Sequence, residues 1–254
     1  MLTVISIPAF QDNYIWLIRD AHAAAVVDPG DAGPVLDYLQ REQLQLVAIL
    51  NTHHHADHVG GNAALLARFD VPVYGPRQES IQSVTHPLTQ GGEVMLPTPA
   101  ATFTVIDVPG HTAGHIAYYG ANSLFCGDTL FGCGCGRLFE GTPMQMYSSL
   151  QKLALFPDDT RVYCAHEYTL ANIAFALALE PHHPALLARA DAARKTRAQG
   201  MPTLPSSIAL EKATNPFLRC TDPAIIQAAS LHAGRDLSDP VSVFTELRAW
   251  KNQF

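Results

Sequence analysis

The first third of the chain alternates short apolar runs with turn residues, a pattern that is typical of β-strands. It predicts strands at residues 3–7, 14–19, 23–28 and 46–50. Between the last two, Val35, Leu36 and Leu39 follow Pro34 at helical spacing and predict a helix over 34–43. Strand and helix therefore alternate in this part of the chain.

Similar patterns continue to about residue 165. They predict a helix at 63–69 and strands at 71–75, 93–96, 102–108, 116–119, 123–126 and 161–165. This mixture of antiparallel strands and helical crossovers predicts an α+β fold in which two sheets pack together and helices cover their outer faces.

Beyond residue 170 the strand signals almost vanish. Stretches rich in alanine and leucine predict helices at 170–179 and 184–198, and shorter helices are predicted near 223–231 and 241–251. A proline-bearing connector at 200–207 separates the two pairs. We therefore predict two domains, residues 1–166 and residues 167–254, of which the second is smaller and all-α.

The composition narrows the possible partners and the compartment. The 254 residues are 48% apolar and carry a net charge of −7 without a basic block, so neither nucleic acid nor a membrane surface is expected as a partner. No apolar run approaches the roughly 20 residues of a membrane span. The N-terminus lacks a signal-peptide pattern, and the five cysteines are an odd, scattered set. These features predict a cytoplasmic protein.

The stretch 52–58 holds four histidines and Asp57 between the predicted strand 46–50 and the pair Gly60-Gly61. A histidine-rich tract could bind metal adventitiously. The included carboxylate, and the position at the end of a buried strand, favour a specific site instead, because strand-end loops commonly carry the chemistry of α/β proteins.

Three later strand ends repeat this design. His111 follows the strand 102–108, Asp128 follows 123–126, and His166 follows 161–165. A lone histidine or aspartate is commonly an ordinary hydrogen-bonded group, but four such strand ends indicate a joint site. The candidate metal ligands are His53, His55, Asp57, His58, His111, Asp128 and His166.

Seven side chains exceed the three or four protein ligands of one zinc ion. They suit two metals that share a bridging carboxylate and keep positions open for water. We therefore predict two divalent cations per chain, with zinc expected and iron or manganese also compatible with imidazole and carboxylate ligands. Cys133-Gly134-Cys135 resembles half of a thiolate zinc site, but the chain has no second cysteine pair at matched spacing.

The ligand pattern resembles that of the metallo-β-lactamase superfamily, whose fold is an αββα sandwich. Its elements are His-x-His-x-Asp-His at 53–58, Gly-His at 110–111, Gly-Asp-Thr at 127–129 and the final His166. More narrowly, the whole chain resembles the glyoxalase II family of hydroxyacylglutathione hydrolases. The motifs that carry this resemblance lie at 12–14, 52–55, 135–142, 166–169, 215–219 and 248–251.

The resemblance implies a role for each ligand. His53, His55 and His111 would bind the first metal, Asp57, His58 and His166 the second, and Asp128 would bridge them. It implies hydrolysis of S-D-lactoylglutathione to D-lactate and glutathione by a hydroxide that bridges the metals, the second step of methylglyoxal detoxification. Asp57 could also orient this hydroxide, whereas His54 should point away from the metals.

An acidic protein that binds an anionic tripeptide must gather cations locally. The candidates are Arg137 and the pair Arg248 and Lys251, which are three residues apart on one helix face. By the resemblance these residues and Tyr168 form the glutathione-binding set, and Phe139 stands where relatives often have a tyrosine. The alternative for Arg248 and Lys251 is an ordinary solvated helix face. We expect a monomer.

Other functions remain open at this point. Di-iron redox relatives carry a glutamate in place of His55 and a flavin domain, which this chain lacks. A single-iron sulfur dioxygenase would use fewer of the seven ligands. A lactonase or β-lactamase could use the same metals, but the helical region with its Arg-x-x-Lys favours a glutathione thioester. A non-enzymatic metal-binding module would have no use for open coordination positions.

Overall fold

A computed structural model describes residues 3–254. The chain forms two compact units that interleave along the sequence. The first unit contains residues 3–107, Ala113–Gly127 and Tyr163–His166, and the second contains Val108–Thr112, Asp128–Val162 and Glu167–Phe254.

The first sheet has its six strands in sequence order. They are β1 (Thr3–Ala9), β2 (Asn13–Arg19), β3 (Ala23–Val27), β4 (Gln45–Leu50), β5 (Val73–Pro76) and β6 (His86–Leu88). The first three strands pair antiparallel, and β3 to β6 pair parallel. Three helices connect the parallel strands: α1 (Ala32–Glu42), α2 (Ala56–Val59) and α3 (Asn62–Leu66).

Helix α1 shows how the apolar pattern positions these elements. The Asp31 side chain accepts a hydrogen bond from the Gly33 amide and caps the helix. This cap starts the helix two residues before the sequence prediction. Val35 and Leu39 then bury one face of α1 against a core cluster that includes Leu46 of β4.

The second sheet is built around an antiparallel meander. Its strands are β7 (Glu93–Leu96), β8 (Ala101–Asp107), β9 (Ile116–Gly120), β10 (Ser123–Gly127), β13 (Arg161–Cys164) and β14 (Ser206–Ser207), in the order β14-β13-β10-β9-β8-β7. The remaining strands, β11 (Leu130–Phe131) and β12 (Gly134–Cys135), form a separate two-stranded hairpin.

The two sheets pack against each other within the first unit. The Trp16 indole donates a hydrogen bond to the Cys164 carbonyl at 3.0 Å and its ring lies 4.9 Å from the Tyr163 ring. The Tyr118 hydroxyl donates to the Asn51 carbonyl at 2.7 Å. These contacts confirm the two packed sheets predicted from the sequence.

The second unit is mainly helical. Its helices are α4 (Pro143–Ala154), α5 (Thr169–Leu179), α6 (Pro184–Ala198), α7 (Ile208–Thr214), a 3-10 turn (Pro216–Leu218), α8 (Pro223–Ala233) and α9 (Pro240–Gln253). Helices α4 and α7 were not predicted, although Thr142 and Gln145 form a capping box that marks the start of α4. Within residues 3–254, no helix is both long and apolar enough to cross a membrane.

Candidate metal centre

The first unit ties together the loops that follow β3 and β4. Asp28 has a left-handed backbone (φ 51°) and turns its buried carboxylate toward the next loop. This carboxylate accepts hydrogen bonds from the Thr52 amide and the Thr52 hydroxyl, both at 2.7 Å. The carboxyl ends of adjacent parallel strands thus present their side chains at one edge of the sheet.

Hydrogen bonds to the far ring nitrogens fix the tautomers of three histidines. The Nδ1 atoms of His58 and His166 lie 3.1 Å from Asp28 and 2.7 Å from Asp12. A carboxylate accepts, so each Nδ1 carries the proton. The Thr52 hydroxyl proton is used on Asp28, so this oxygen accepts from His53 Nδ1 at 3.0 Å. Each ring therefore presents an Nε2 lone pair, as metal-binding histidines do.

These lone pairs converge with a carboxylate. The Asp57 Oδ2 atom lies 3.4 Å from His58 Nε2 and 3.5 Å from His166 Nε2. Asn13 fixes that oxygen by donating to it at 3.0 Å. The three donor atoms of Asp57, His58 and His166 all lie within 4.8 Å of one another, which suits one shared cation.

His53 and His55 form a second pair in the same unit. His53 Nε2 lies 3.1 Å from His55 Nδ1, so a common cation could replace this contact. His54, between them, instead contacts Glu79 at 2.9 Å from Nδ1. His115 lies fully buried against His53, and the two rings stack with their centres 4.5 Å apart.

In the second unit, His111 and Asp128 form a pair of their own. His111 Nδ1 donates to the Arg137 carbonyl at 2.9 Å, and Nε2 lies 3.3 Å from Asp128 Oδ2. A Cβ atom on Gly136 would lie 1.9 Å from the Asp128 carbonyl oxygen, so only glycine fits beside this pair. Both ligand-type side chains are buried.

The donor set fits divalent cations. The candidate ligands bring imidazole lone pairs and carboxylate oxygens together. The second nitrogen of four of these rings is held by another carboxylate, a backbone carbonyl or a hydroxyl, as in protein metal sites. Sequence reasoning missed the partner Asp28, although its position at the end of β3 was a usable signal, and it read Asp12 and Asn13 only as part of a family motif.

Among the described residues, the groups of side chains that could hold a metal ion do not include the cysteine pair of the hairpin. Burial raises the pKa of Cys133 to about 12 and that of Cys135 to about 11, so both are neutral thiols at pH 7. The Cys133 thiol donates to the Thr214 carbonyl at 3.3 Å.

Two of the predicted substrate residues are exposed aromatic side chains. The Phe139 ring is 64% exposed and packs edge-on against His111, with ring centres 5.2 Å apart. Tyr168 precedes α5 and lies edge-on to Phe131. Each ring therefore has one anchored side and one side that is open to a ligand.

The three predicted cations differ in their burial. Arg137 is exposed, whereas Arg248 is only 5% exposed and donates to the Cys135 carbonyl at 2.8 Å. A solvated helix face is therefore wrong for Arg248. Half-buried Lys251 has its pKa lowered by burial and then by the charges of Arg248 and Arg137.

Replacing Asp28 by asparagine is expected to weaken metal binding about 10–100-fold, the usual cost of removing a partner of a metal-binding histidine. Thr52 and His58 both donate hydrogen bonds to the Asp28 carboxylate. The NH2 group of an asparagine side chain cannot accept a hydrogen bond, so at least one of these donors would lose its acceptor. Competition with a chromophoric chelator measures the affinity. The control is Asp31→Asn, which keeps a capping residue on α1. An equal loss of affinity in both variants would contradict this role.

Family models divide the chain at the end of this site. The metallo-beta-lactamase superfamily model matches residues 10–166, and the model described as hydroxyacylglutathione hydrolase C-terminus matches residues 167–254. The protein named hydroxyacylglutathione hydrolase from Nitrosomonas europaea is 57% identical over 254 residues, which is 100% of this chain and 97% of the relative. The one from Methylobacillus flagellatus is 58% identical over 100% of both chains.

The chain belongs to the hydroxyacylglutathione hydrolase family of the metallo-β-lactamase superfamily. This confirms the resemblance read from the motifs and the α+β fold with a C-terminal helical region. The His/Asp groups of this family member could hold a dinuclear metal site.

Solved structures agree with this placement. ETHE1 from Myxococcus xanthus is similar with a TM-score of 0.66 and 26% identity over 99% of this chain and 98% of that one. The BLEG-1 B3 metallo-beta-lactamase has a TM-score of 0.63 and 26% identity over 86% and 99%. TTHA1623, solved in a di-iron-bound form, has a TM-score of 0.60 and 26% identity over 85% and 100%.

Proposed function

We propose that this protein hydrolyses S-D-lactoylglutathione, and related S-2-hydroxyacylglutathione thioesters, to D-lactate and glutathione. One observation carries the proposal. The chain combines the His/Asp donor set of a metallohydrolase with three cations, Arg137, Arg248 and Lys251, close enough for two of them to lower the pKa of the third. Glutathione thioesters carry the carboxylates that such cations bind.

We propose that the candidate ligands bind one pair of metals. The first would be held by His53, His55 and His111, and the second by Asp57, His58 and His166, with Asp128 shared by both. Zinc is proposed because these ligands suit it, and iron and manganese are the alternatives that metal analysis of the purified protein would identify. When bound, such a pair supplies an activated water at neutral pH and polarises the thioester carbonyl.

The protein side chains would orient the reaction. Asn13 donates to Asp57 Oδ2, which leaves the other carboxylate oxygen to accept a proton from the attacking water. Asp12 and Asp28 hold the His166 and His58 rings against rotation. The glutathione thiolate is a weak base, so its departure needs no dedicated protein acid.

Substrate binding would use the second unit. Arg137, Arg248 and Lys251 would bind the substrate carboxylates, and Arg248 also donates to the carbonyl of Cys135, which lies two residues before Arg137. The Tyr168 hydroxyl would donate to the glutathione peptide. Phe139 has no hydroxyl, so it would contribute only apolar contact to the bound substrate.

A substrate panel tests the activity. We expect S-D-lactoylglutathione to be hydrolysed with a kcat/KM at least about 100-fold above that of a lactone, a β-lactam or glutathione persulfide. The thioester group of this substrate suits the proposed metal pair, and its glutathione moiety suits the three cations. Each of the other compounds lacks at least one of these two features. The β-lactam belongs in the panel because the fold is similar to that of a B3 enzyme. Efficient lactone turnover without thioester turnover would overturn the proposal.

We also propose a cytoplasmic monomer. The five cysteines are buried thiols, which agrees with a reducing compartment. Gel filtration with light scattering measures the mass, and the value expected for a monomer is 27.5 kDa.

A further inference from the structure

The second unit contains a buried carboxylate that none of the proposed steps uses. Glu211 on α7 is fully buried, and four donors surround it. Arg189 and the Ser206 hydroxyl donate to its Oε1 atom. The Cys133 amide and the Asn215 side-chain amide donate to Oε2 at 2.8 and 3.0 Å. Every lone-pair direction of this carboxylate is therefore used.

Arg189 on α6 completes the ion pair. It is also buried, and its second terminal nitrogen donates to the Thr214 hydroxyl at 2.5 Å. A buried pair of this kind contributes little net stability, because desolvation offsets the attraction, but removing one partner is strongly destabilising. Net stabilisation therefore does not explain the pair, and the groups that it holds in place are the better guide to its role.

The Glu211 carboxylate of this pair binds the backbone of the hairpin. We call Phe131–Cys135 the clamped segment, because side chains of the helical region bind a backbone group of each of its five residues. Glu211 accepts from the Cys133 amide, and Asn215 donates to the carbonyls of Phe131 and Gly134 at 3.3 and 2.9 Å. Asn172 donates to the Gly132 carbonyl and Arg248 to the Cys135 carbonyl, at 3.0 and 2.8 Å.

The clamped segment needs this support at one residue. Cys133 has φ 59°, a left-handed backbone conformation that residues other than glycine and asparagine rarely adopt. Strain of this kind persists only when surrounding contacts over-determine the backbone. The hydrogen bond from the Cys133 amide to Glu211 is the contact at that point.

The segment leads directly to two residues of the proposed site. Asp128 lies just before it, and Arg137 lies just after it. The Arg137 carbonyl accepts from His111 Nδ1 at 2.9 Å, which fixes the ring that pairs with Asp128. A displacement of the clamped segment would therefore move the Arg137 side chain and rotate the His111 ring together.

We propose that Glu211 is a positioning residue. Its charge is neutralised by Arg189, and it holds the clamped segment so that the Arg137 side chain faces the substrate and the Arg137 carbonyl orients His111. The inference rests on the proposed function, in which Arg137 binds substrate and His111 binds metal.

The substitution Glu211→Gln tests this role. The glutamine side chain has one acceptor oxygen where the carboxylate has two. Leaving the buried Arg189 charge without an acceptor costs more free energy than leaving the neutral Cys133 backbone amide without one. The glutamine oxygen will therefore face Arg189, and the Cys133 amide will lose its partner. We expect the KM for the thioester to rise about tenfold with a smaller change in kcat, and one of two metal equivalents to bind about tenfold more weakly.

A matched control separates positioning from stability. Glu180 also neutralises a largely buried arginine in the helical region, since it accepts from both terminal nitrogens of Arg219 at 2.5 and 3.0 Å. The carboxylate of Glu180 binds Arg219, which lies outside the clamped segment. We expect Glu180→Gln to lower the melting temperature without changing KM or metal affinity. Equal changes in both variants would overturn the proposal and leave Glu211 a structural residue.

Two further measurements keep the outcome decisive. Zinc affinity is measured on the metal-free protein by chelator competition, so it reports on His111 even if the thioester proves to be the wrong substrate. If Glu211→Gln does not fold, Glu211→Asp keeps the charge beside Arg189 but withdraws the carboxylate from the Cys133 amide by about 1.5 Å. Unchanged metal affinity in the folded aspartate variant would refute the effect on His111.

Discussion

Replacing Asp128 by alanine is expected to remove both metal ions and to lower kcat about a thousandfold or more. The proposed bridging ligand contacts both cations, so its loss weakens both sites, and each supplies several kcal/mol of transition-state stabilisation. The Asp128 carboxylate is buried beside His111, so the substitution also leaves that ring without its neighbour. Elemental analysis after gel filtration measures the metal content, and initial rates measure kcat.

The control for this variant is Asp158→Ala, which removes a surface carboxylate that pairs with Lys212. It should keep two metals per chain and normal activity, because an exposed ion pair contributes little. Full retention of both metals in Asp128→Ala would contradict a bridging role. Loss of one metal alone would reduce Asp128 to a ligand of a single site.

Replacing both Arg248 and Lys251 by alanine is expected to raise the KM for S-D-lactoylglutathione at least about tenfold, with little change in kcat. A lost charge-assisted hydrogen bond costs about 1.5–3 kcal/mol, and 1.4 kcal/mol is a factor of ten. The interactions are made equally in the ground state and the transition state, so they affect KM. Steady-state kinetics measures the split.

The matched control is Arg194→Ala with Lys195→Ala, which removes the same two charges from the exposed face of α6. Its KM should stay unchanged if local contacts and not net charge attract the substrate. The Arg248 change should also lower the melting temperature, because the guanidinium holds the Cys135 carbonyl. A collapse of kcat at constant KM would refute the binding role.

The pH dependence gives a second measure of Lys251. Burial and the neighbouring arginines lower its pKa, so it loses its proton at a lower pH than an ordinary lysine. The bound anion favours the charged form. KM should therefore rise as the pH increases through this lowered pKa, and Lys251→Arg should remove the rise, because arginine stays charged.

Much of the fold could be predicted from local pattern. Strands such as Glu93–Leu96 and helices such as Pro184–Ala198 begin and end at the predicted residues because turn residues and prolines mark them in the sequence. Helix α7 escaped prediction because it follows the proline-bearing connector and is only seven residues long. The hairpin Leu130–Cys135 escaped because each of its strands has two residues, too few for a pattern.

The candidate ligands could be predicted for a similar reason, since each lies at the end of an apolar strand. Their supporting residues could not. Asp28 lies 30 positions from His58, and Asp12 lies 154 positions from His166. Glu211 lies 78 positions from the Cys133 amide that it binds. Which residue each of them binds is defined by tertiary contact, and a single sequence carries no local signal for that pairing.

The clamped segment limits how the chain could be divided or recombined. A fragment ending at residue 166 would contain all seven proposed ligands but would lack Asn172, Glu211, Asn215 and Arg248, which bind every residue of the segment. Without the tail, these backbone groups would lose the side chains that bind them. Grafting the tail onto another metallo-β-lactamase scaffold would therefore require residues 131–137 to be transplanted with it.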